Sequence, residues 1–233
     1  MSFIETDPEF IKLFERFTND DVAGNEQLCL EEPLRFTVVL AALIGCQGRE
    51  AYSEILPEAL SSGLSPAAVK EIVYQAADYV GYGRMLDFLK LTNECFKKTG
   101  IPLPLEEQAT VTTENRLEKG VEIQAEIFGD KMREEWKKGI INRFLAENCF
   151  GDYYTRNGLP VSHRELITFC FLMAQGGCEP QLIAHAKGNM NIGNSRELLV
   201  KTVMQCLPYI GYPRSLNALS CIDKALENFE NQI

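Results

Sequence analysis

The sequence predicts an all-α protein built of two similar helical units in tandem, and three observations carry that expectation. Apolar residues recur at helical spacing in one stretch after another. Between these stretches the same signals return, a glycine stop followed by a serine or proline start. Sliding the chain against itself by 130 residues then aligns 33–98 with 163–228 without a gap. Gly63 meets Gly193, Ser65 meets Ser195 and Gln75 meets Gln205, and the run from Tyr79 to Leu89 meets that from Tyr209 to Leu219. Internal repetition of one helical unit is the simplest source of such a match.

In chain order, Phe10, Leu13, Phe14 and Phe17 give an amphipathic helix over 8–18, and 19–32 reads as polar and irregular. Pro33 opens an apolar helix over 34–45 that stops at Gly45-Cys-Gln-Gly48. A helix over 52–60 contains Pro57, which should kink it or mark its true start. Gly63-Leu-Ser65-Pro66 is a stop followed by an N-cap serine and a first-turn proline, so helices are expected over 69–80 and, after Gly81-Tyr-Gly83, over 85–96. The stretch up to Thr113 reads as a linker. Leu117, Val121, Gln124 and Ile127 share one face of a helix over 114–128, and a further helix is expected around 132–148 with the only tryptophan, Trp136. A glycine- and aromatic-rich loop follows from Cys149 to Pro160. These boundaries divide the chain into a first unit over 1–104, a linker and bridging helix over 105–137, and a second unit over 138–233.

With 233 residues, 45% hydrophobic and 24% charged, the chain has the make-up of an ordinary globular protein with one large or two small cores. A net charge of −10 argues against nucleic acid as a partner, since phosphate contacts need clustered Lys and Arg. No apolar run is long enough to span a membrane. The acidic N-terminus lacks the basic and apolar regions of a signal peptide, so the expected location is cytoplasmic. Eight cysteines without any Cys-x-x-Cys spacing give neither a disulfide framework nor a metal site, and no cofactor is expected.

The chemistry concentrates in the second unit. Glu165, Cys178 and His185, one of only two histidines, fall within two helices of each other, and these side chains move protons or attack electrophiles. Cys178 follows Gly176-Gly177 and precedes Pro180, which places it at a helix N-terminus, where the dipole favours thiolate. His185 lies two turns further on, roughly 10 Å away, too far for a direct hydrogen bond. Glu165, on the preceding helix, comes between or beside them, so a Glu/His pair with an outlying Cys is the expected geometry. Plainer readings stand beside this one. Ser162-x-x-Glu165 matches a capping box, Cys178 fits as an inert small residue, and His185 fits as a satisfied structural side chain. The repeat favours function: its register sets Arg35 against Glu165, Gly48 against Cys178 and Ile55 against His185, so all three reactive groups are missing together from the first unit. Tyr153, Tyr154 and Arg156, just before the Glu165 helix, are candidates to line a pocket for an anionic substrate, or else form a turn packed by its own aromatics.

The segment Gly176-Gly-Cys178-Glu-Pro-Gln-Leu-Ile-Ala-His185-Ala-Lys-Gly-Asn-Met-Asn-Ile-Gly193, followed by Pro208-Tyr-Ile-Gly-Tyr-Pro213, resembles the carboxymuconolactone decarboxylase family. The first half resembles it more weakly, as in a tandem fusion. The resemblance implies the all-helical alkyl hydroperoxidase D fold and assembly into a homotrimer that presents six units. It implies two chemistries. In the hydroperoxidase branch a Cys-x-x-Cys pair is redox-active and a glutamate and histidine relay protons to it; this carries over to Glu165, Cys178 and His185, where an external thiol would resolve the sulfenate. In the decarboxylase branch the histidine is the acid/base group. Gln181 stands where the second cysteine would be, which removes the resolving thiol and makes it a candidate substrate contact instead. Three readings therefore stay open: Glu/His acid/base chemistry on a small lactone or carboxylate, thiol-dependent peroxide reduction with peroxiredoxin activity through Cys178, and non-catalytic ligand binding.

Overall fold

Ser65 and Ser195 show how the start signals become helix ends. Each hydroxyl accepts a hydrogen bond at 3.1 Å from the backbone N–H three residues on, that of Ala68 or of Leu198. In the computed structural model, which describes residues 3–230, glycine or proline marks most of the other helix ends. The two residues opening the acidic N-terminus and the last three of the second unit lie outside the described residues.

The elements run α1 (Phe3–Thr6), α2 (Pro8–Glu15), a π-helical segment (Arg16–Ala23), α3 (Glu32–Gly45), α4 (Arg49–Ser61), α5 (Pro66–Val80) and α6 (Tyr82–Lys98). A long connection then leads to α7 (Arg116–Phe128), a 3-10 segment (Asp130–Lys138), α8 (Ile140–Phe144) and a second π-helical segment (Leu145–Tyr154). The chain closes with α9 (Val161–Gln175), α10 (Glu179–Asn191), α11 (Arg196–Ile210) and α12 (Tyr212–Glu230). The fold is all-α, with no strand among the described residues. A shift of 130 residues carries α4 onto α10 and α5 onto α11 residue for residue. No helix among the described residues is long and apolar enough to cross a membrane.

The core sits where α3 crosses α9. Residues 36–45 and 164–174 are buried without exception, so these two helices are covered on every side. Each full burial of a Leu, Ile or Phe side chain is worth about 1.5–3 kcal/mol, and one continuous cluster runs through both halves. Across the crossing, α5 of the first half packs on α9, and α11 packs on α3. The contact of α5 with α9 brings first-half side chains to the Glu165 helix.

Four expectations need correction. The helix expected over 132–148 is broken, because the backbone is extended at Gly139 between the 3-10 segment and α8. The loop expected from Cys149 is instead π-helical as far as Tyr154, held against α7 at backbone contact. A Cβ on Gly120 would stand 1.8 Å from the Ala146 carbonyl oxygen, and one on Gly151 would stand 2.3 Å from that of Arg116, so only glycine permits this approach. Likewise, part of the stretch read as irregular, up to Ala23, is π-helical. Pro57 does not mark a start; it lies inside α4 on an exposed face, where water can serve the carbonyl left without its helical donor.

Candidate active site

Glu165 lies in the second turn of α9 and is fully buried, a position that demands compensating partners for a carboxylate. It has them. His185 Nδ1, from α10, lies 2.6 Å from Oε1, and the Tyr154 hydroxyl donates to Oε2 at 2.9 Å. Helix α9 begins at Val161 with Pro160 as its N-cap, so Ser162 is inside the helix and the capping-box reading of Glu165 does not hold. Gly188, three residues beyond His185, makes room for the pair: a Cβ there would come 2.6 Å from Oε1. Asn189 clamps the two helices by donating to the Glu165 carbonyl at 3.0 Å and the His185 carbonyl at 2.8 Å, and Asn194 in turn donates to Asn189.

The imidazole is held from both flanks. The rings of Tyr79 and Phe128 meet it edge-on, with centroids at 5.8 and 5.4 Å. With Nδ1 committed to the carboxylate, Nε2 is the nitrogen available to another molecule, and 13% of the side chain remains exposed. A fixed imidazole backed by a buried carboxylate can donate or accept a proton at one defined atom.

Behind Glu165 the hydrogen bonds continue into the first half. The Tyr154 hydroxyl lies 2.7 Å from that of Thr168 and 3.0 Å from that of Tyr79, which is 3.4 Å from the Cys149 thiol. Burial pushes the Tyr79 and Tyr154 hydroxyls and the Cys149 thiol well above their ordinary values, so all three keep their protons. Asp78, beside Cys149, is pushed up to about 7 by burial. One of its oxygens, Oδ2, is buried without a hydrogen-bond partner. Because the folded value lies above the ordinary 3.8, the folded chain holds a proton that the unfolded chain releases in between. The stability this group contributes is complete below about pH 4 and is lost as pH rises through 7. Asp78→Asn is therefore expected to gain on the wild type between pH 5 and pH 8, by a few kcal/mol in urea denaturation; parallel curves would show that Asp78 ionises freely.

The other candidates are placed as follows. Cys178 is the N-cap of α10, as its spacing predicts, but its thiol is pushed up rather than down. Burial and the neighbouring Glu179 carboxylate outweigh the helix dipole, and Sγ donates to the Leu172 carbonyl at 3.3 Å. No hydrogen bond joins it to His185 among the described residues. Tyr153, Tyr154 and Arg156 do not line one pocket, because the π-helical turns separate them: Tyr154 goes to Glu165, Tyr153 is half-buried, and Arg156 forms a bidentate pair with Glu71 at 2.9–3.1 Å. Gln181 is exposed on α10. Sequence reading missed Tyr79, Thr168, Asn189, Gly188 and Phe128. Only Tyr79 left a signal, its match with Tyr209, which spoke for repetition rather than for the site.

Fold and site together define an all-helical protein with a buried carboxylate–imidazole pair suited to proton transfer. Residues 141–224, which hold Glu165, Cys178 and His185, match the model of the carboxymuconolactone decarboxylase family. The chain is also similar to 4-carboxymuconolactone decarboxylase of Acinetobacter baylyi, at 26% identity over 121 residues that cover 49% of this chain and 90% of that protein. Tyr79 and Asp78 lie outside the matched segment.

Proposed function

We propose that this protein is an enzyme that uses Glu165 and His185 to decarboxylate a small lactone or related carboxylate. The carrying observation is the buried 2.6 Å contact between the two side chains, with the imidazole fixed by flanking rings. In the step envisaged, the bond between a substrate carbon and its carboxylate breaks and CO2 leaves. The electron pair moves into the adjoining unsaturated lactone, and protonated His185 delivers a proton from Nε2 to carbon. Glu165 stabilises the imidazolium and sets its orientation, and Tyr154 stabilises Glu165. The Acinetobacter relative's name supports this substrate class. Release of CO2 from 4-carboxymuconolactone by the purified protein is the direct test; no release from it or from related lactone carboxylates would leave peroxide reduction or ligand binding as the function.

In this reading the chain is a duplicated unit whose second copy keeps the chemistry, and it works as a cytoplasmic homotrimer. The exposed Phe10 and Leu13 of α2, with Ile140, Ile141 and Phe144 of α8, offer apolar surface for the assembly. Tyr153 and Gln181 remain candidate substrate contacts through rearrangement or a neighbouring subunit.

Peroxide reduction through Cys178 with an external thiol reductant is the weaker reading, since its thiol is pushed up and Gln181 leaves no resolving partner at that slot. Cys178→Ser is accordingly expected to keep decarboxylation within a few-fold of wild type, and Cys178 to alkylate at pH 7 no faster than exposed Cys29. Rapid stoichiometric sulfenate at Cys178 under dilute peroxide would reverse the order of the two readings.

A further inference from the structure

We propose that the chain carries a second small-molecule site, a carboxylate-binding cleft in its first half built from Lys70, Tyr74, Asn93 and Arg156. The cleft, about 440 Å³, lies between α5, α6 and the connection 103–108. That volume falls within the range of small-ligand pockets, about 300–1,000 Å³. None of its lining residues hydrogen-bonds to the Glu165 or His185 side chain, so it is distinct from the acid/base pair.

The charge balance of the cleft points to the ligand. Lys70 is only 6% exposed, an unusual state for an ammonium unless it is paired. Its recorded hydrogen bond is to a neutral acceptor, Asn93 Oδ1, and it lies 5.6 and 5.8 Å from the ring centroids of Tyr74 and Phe96. No carboxylate among the described residues forms an ion pair with it. The buried acid of the cleft, Glu71, is already shared by Arg156 and by the fully buried Arg164. Glu106 and Glu107 line the rim, but they are exposed and pair with neither Lys70 nor Arg156. The buried lining is thus left with more positive than negative charge, and an anion that accepts from Lys70 restores the balance.

The walls narrow the class further. The Tyr74 ring, which also lies 5.6 Å from the Arg156 guanidinium, stands with Leu103 and Leu105 around the cations. A small carboxylate on a flat, ring-shaped or unsaturated body fits both features. In the register of the repeat, the second half has Val200, Met204 and Asp223 where the first has Lys70, Tyr74 and Asn93, so the second copy cannot form the same cleft.

Benzoate is a suitable probe, with neutral benzamide as its control, and calorimetry on the full chain is the measurement. Benzoate is expected to bind at least about tenfold more tightly than benzamide, since a charged hydrogen bond is worth about 1.5–3 kcal/mol and tenfold is about 1.4. Lys70→Met should remove that preference, while His185→Gln should leave it intact. Tyr74→Leu, which keeps both cations, should weaken benzoate several-fold and serves if Lys70→Met does not fold. Equal binding of benzoate and benzamide by the wild type, undiminished benzoate binding in the folded variants of the cleft, or loss of binding in His185→Gln would each overturn the assignment.

Discussion

His185→Gln is expected to lower kcat for decarboxylation by about 10²–10⁴-fold, the usual worth of a positioned proton-transfer group. Glutamine keeps much of the side chain's bulk between the Tyr79 and Phe128 rings, so the loss would report chemistry rather than a collapsed core. Glu165→Gln should cost a comparable factor for a different reason. It leaves the imidazole in place but removes the charge that stabilises its protonated form, and the amide offers the Tyr154 hydroxyl and Nδ1 only one acceptor oxygen. The double variant should be little worse than either single one, because the two side chains act as a unit. Steady-state kinetics that show either single substitution within about threefold of wild type would set the acid/base role aside.

Glu71→Gln is expected to produce the largest loss of stability, about 3–5 kcal/mol, as for breaking a buried ion pair by removing one partner. The Arg164 guanidinium has no exposure, and its remaining acceptors, Gln75 Oε1 at 3.1 Å and the carbonyls of Arg156 and Asn157 at 2.9 Å, are neutral. Without Glu71 it keeps only these neutral acceptors and loses its counter-charge, and Arg156 loses its bidentate partner. For a chain of this size each kcal/mol moves Tm by roughly 2–4 °C, so a drop on the order of 10 °C should appear in a calorimetric scan. A drop below about 2 °C would mean that water or another group reaches Arg164 and that the pair is not buried in solution. The substitution should also reduce turnover beyond its effect on folding, since Arg164 is next to Glu165 in the chain and Gln75 joins it to Thr168.

Much of this protein was legible in its sequence because its signals are local. Ser65 and Ser195 cap the helices they were expected to cap, and α10 begins at Glu179, beside the Gly-Gly stop. The Glu165–His185 pair with Cys178 outlying followed from helix periodicity and the order of two adjacent helices. Where the sequence misled, long-range packing was the cause. The π-helical turn from Leu145 to Tyr154 exists because Gly120 and Gly151 allow two backbones to touch, and neither glycine announces its partner. The helix dipole at Cys178 was readable, whereas the burial that outweighs it depends on what packs around the thiol.

By itself, then, the sequence determined the all-helical class, the order of the helices and the pairing of Glu165 with His185 across adjacent helices, since these rest on periodicity, capping and composition. Only the tertiary structure decided that Tyr79 of α5 stands edge-on to His185, that Tyr154 serves Glu165 while Arg156 serves Glu71, and that Lys70 is buried with no ion-pair partner among the described residues. The Arg156–Glu71 pair joins residues 85 positions apart, Tyr154 reaches Glu165 from the preceding element, and the last depends on the burial of a charge. The free energy of such contacts belongs to the packed core and leaves no trace in the local pattern.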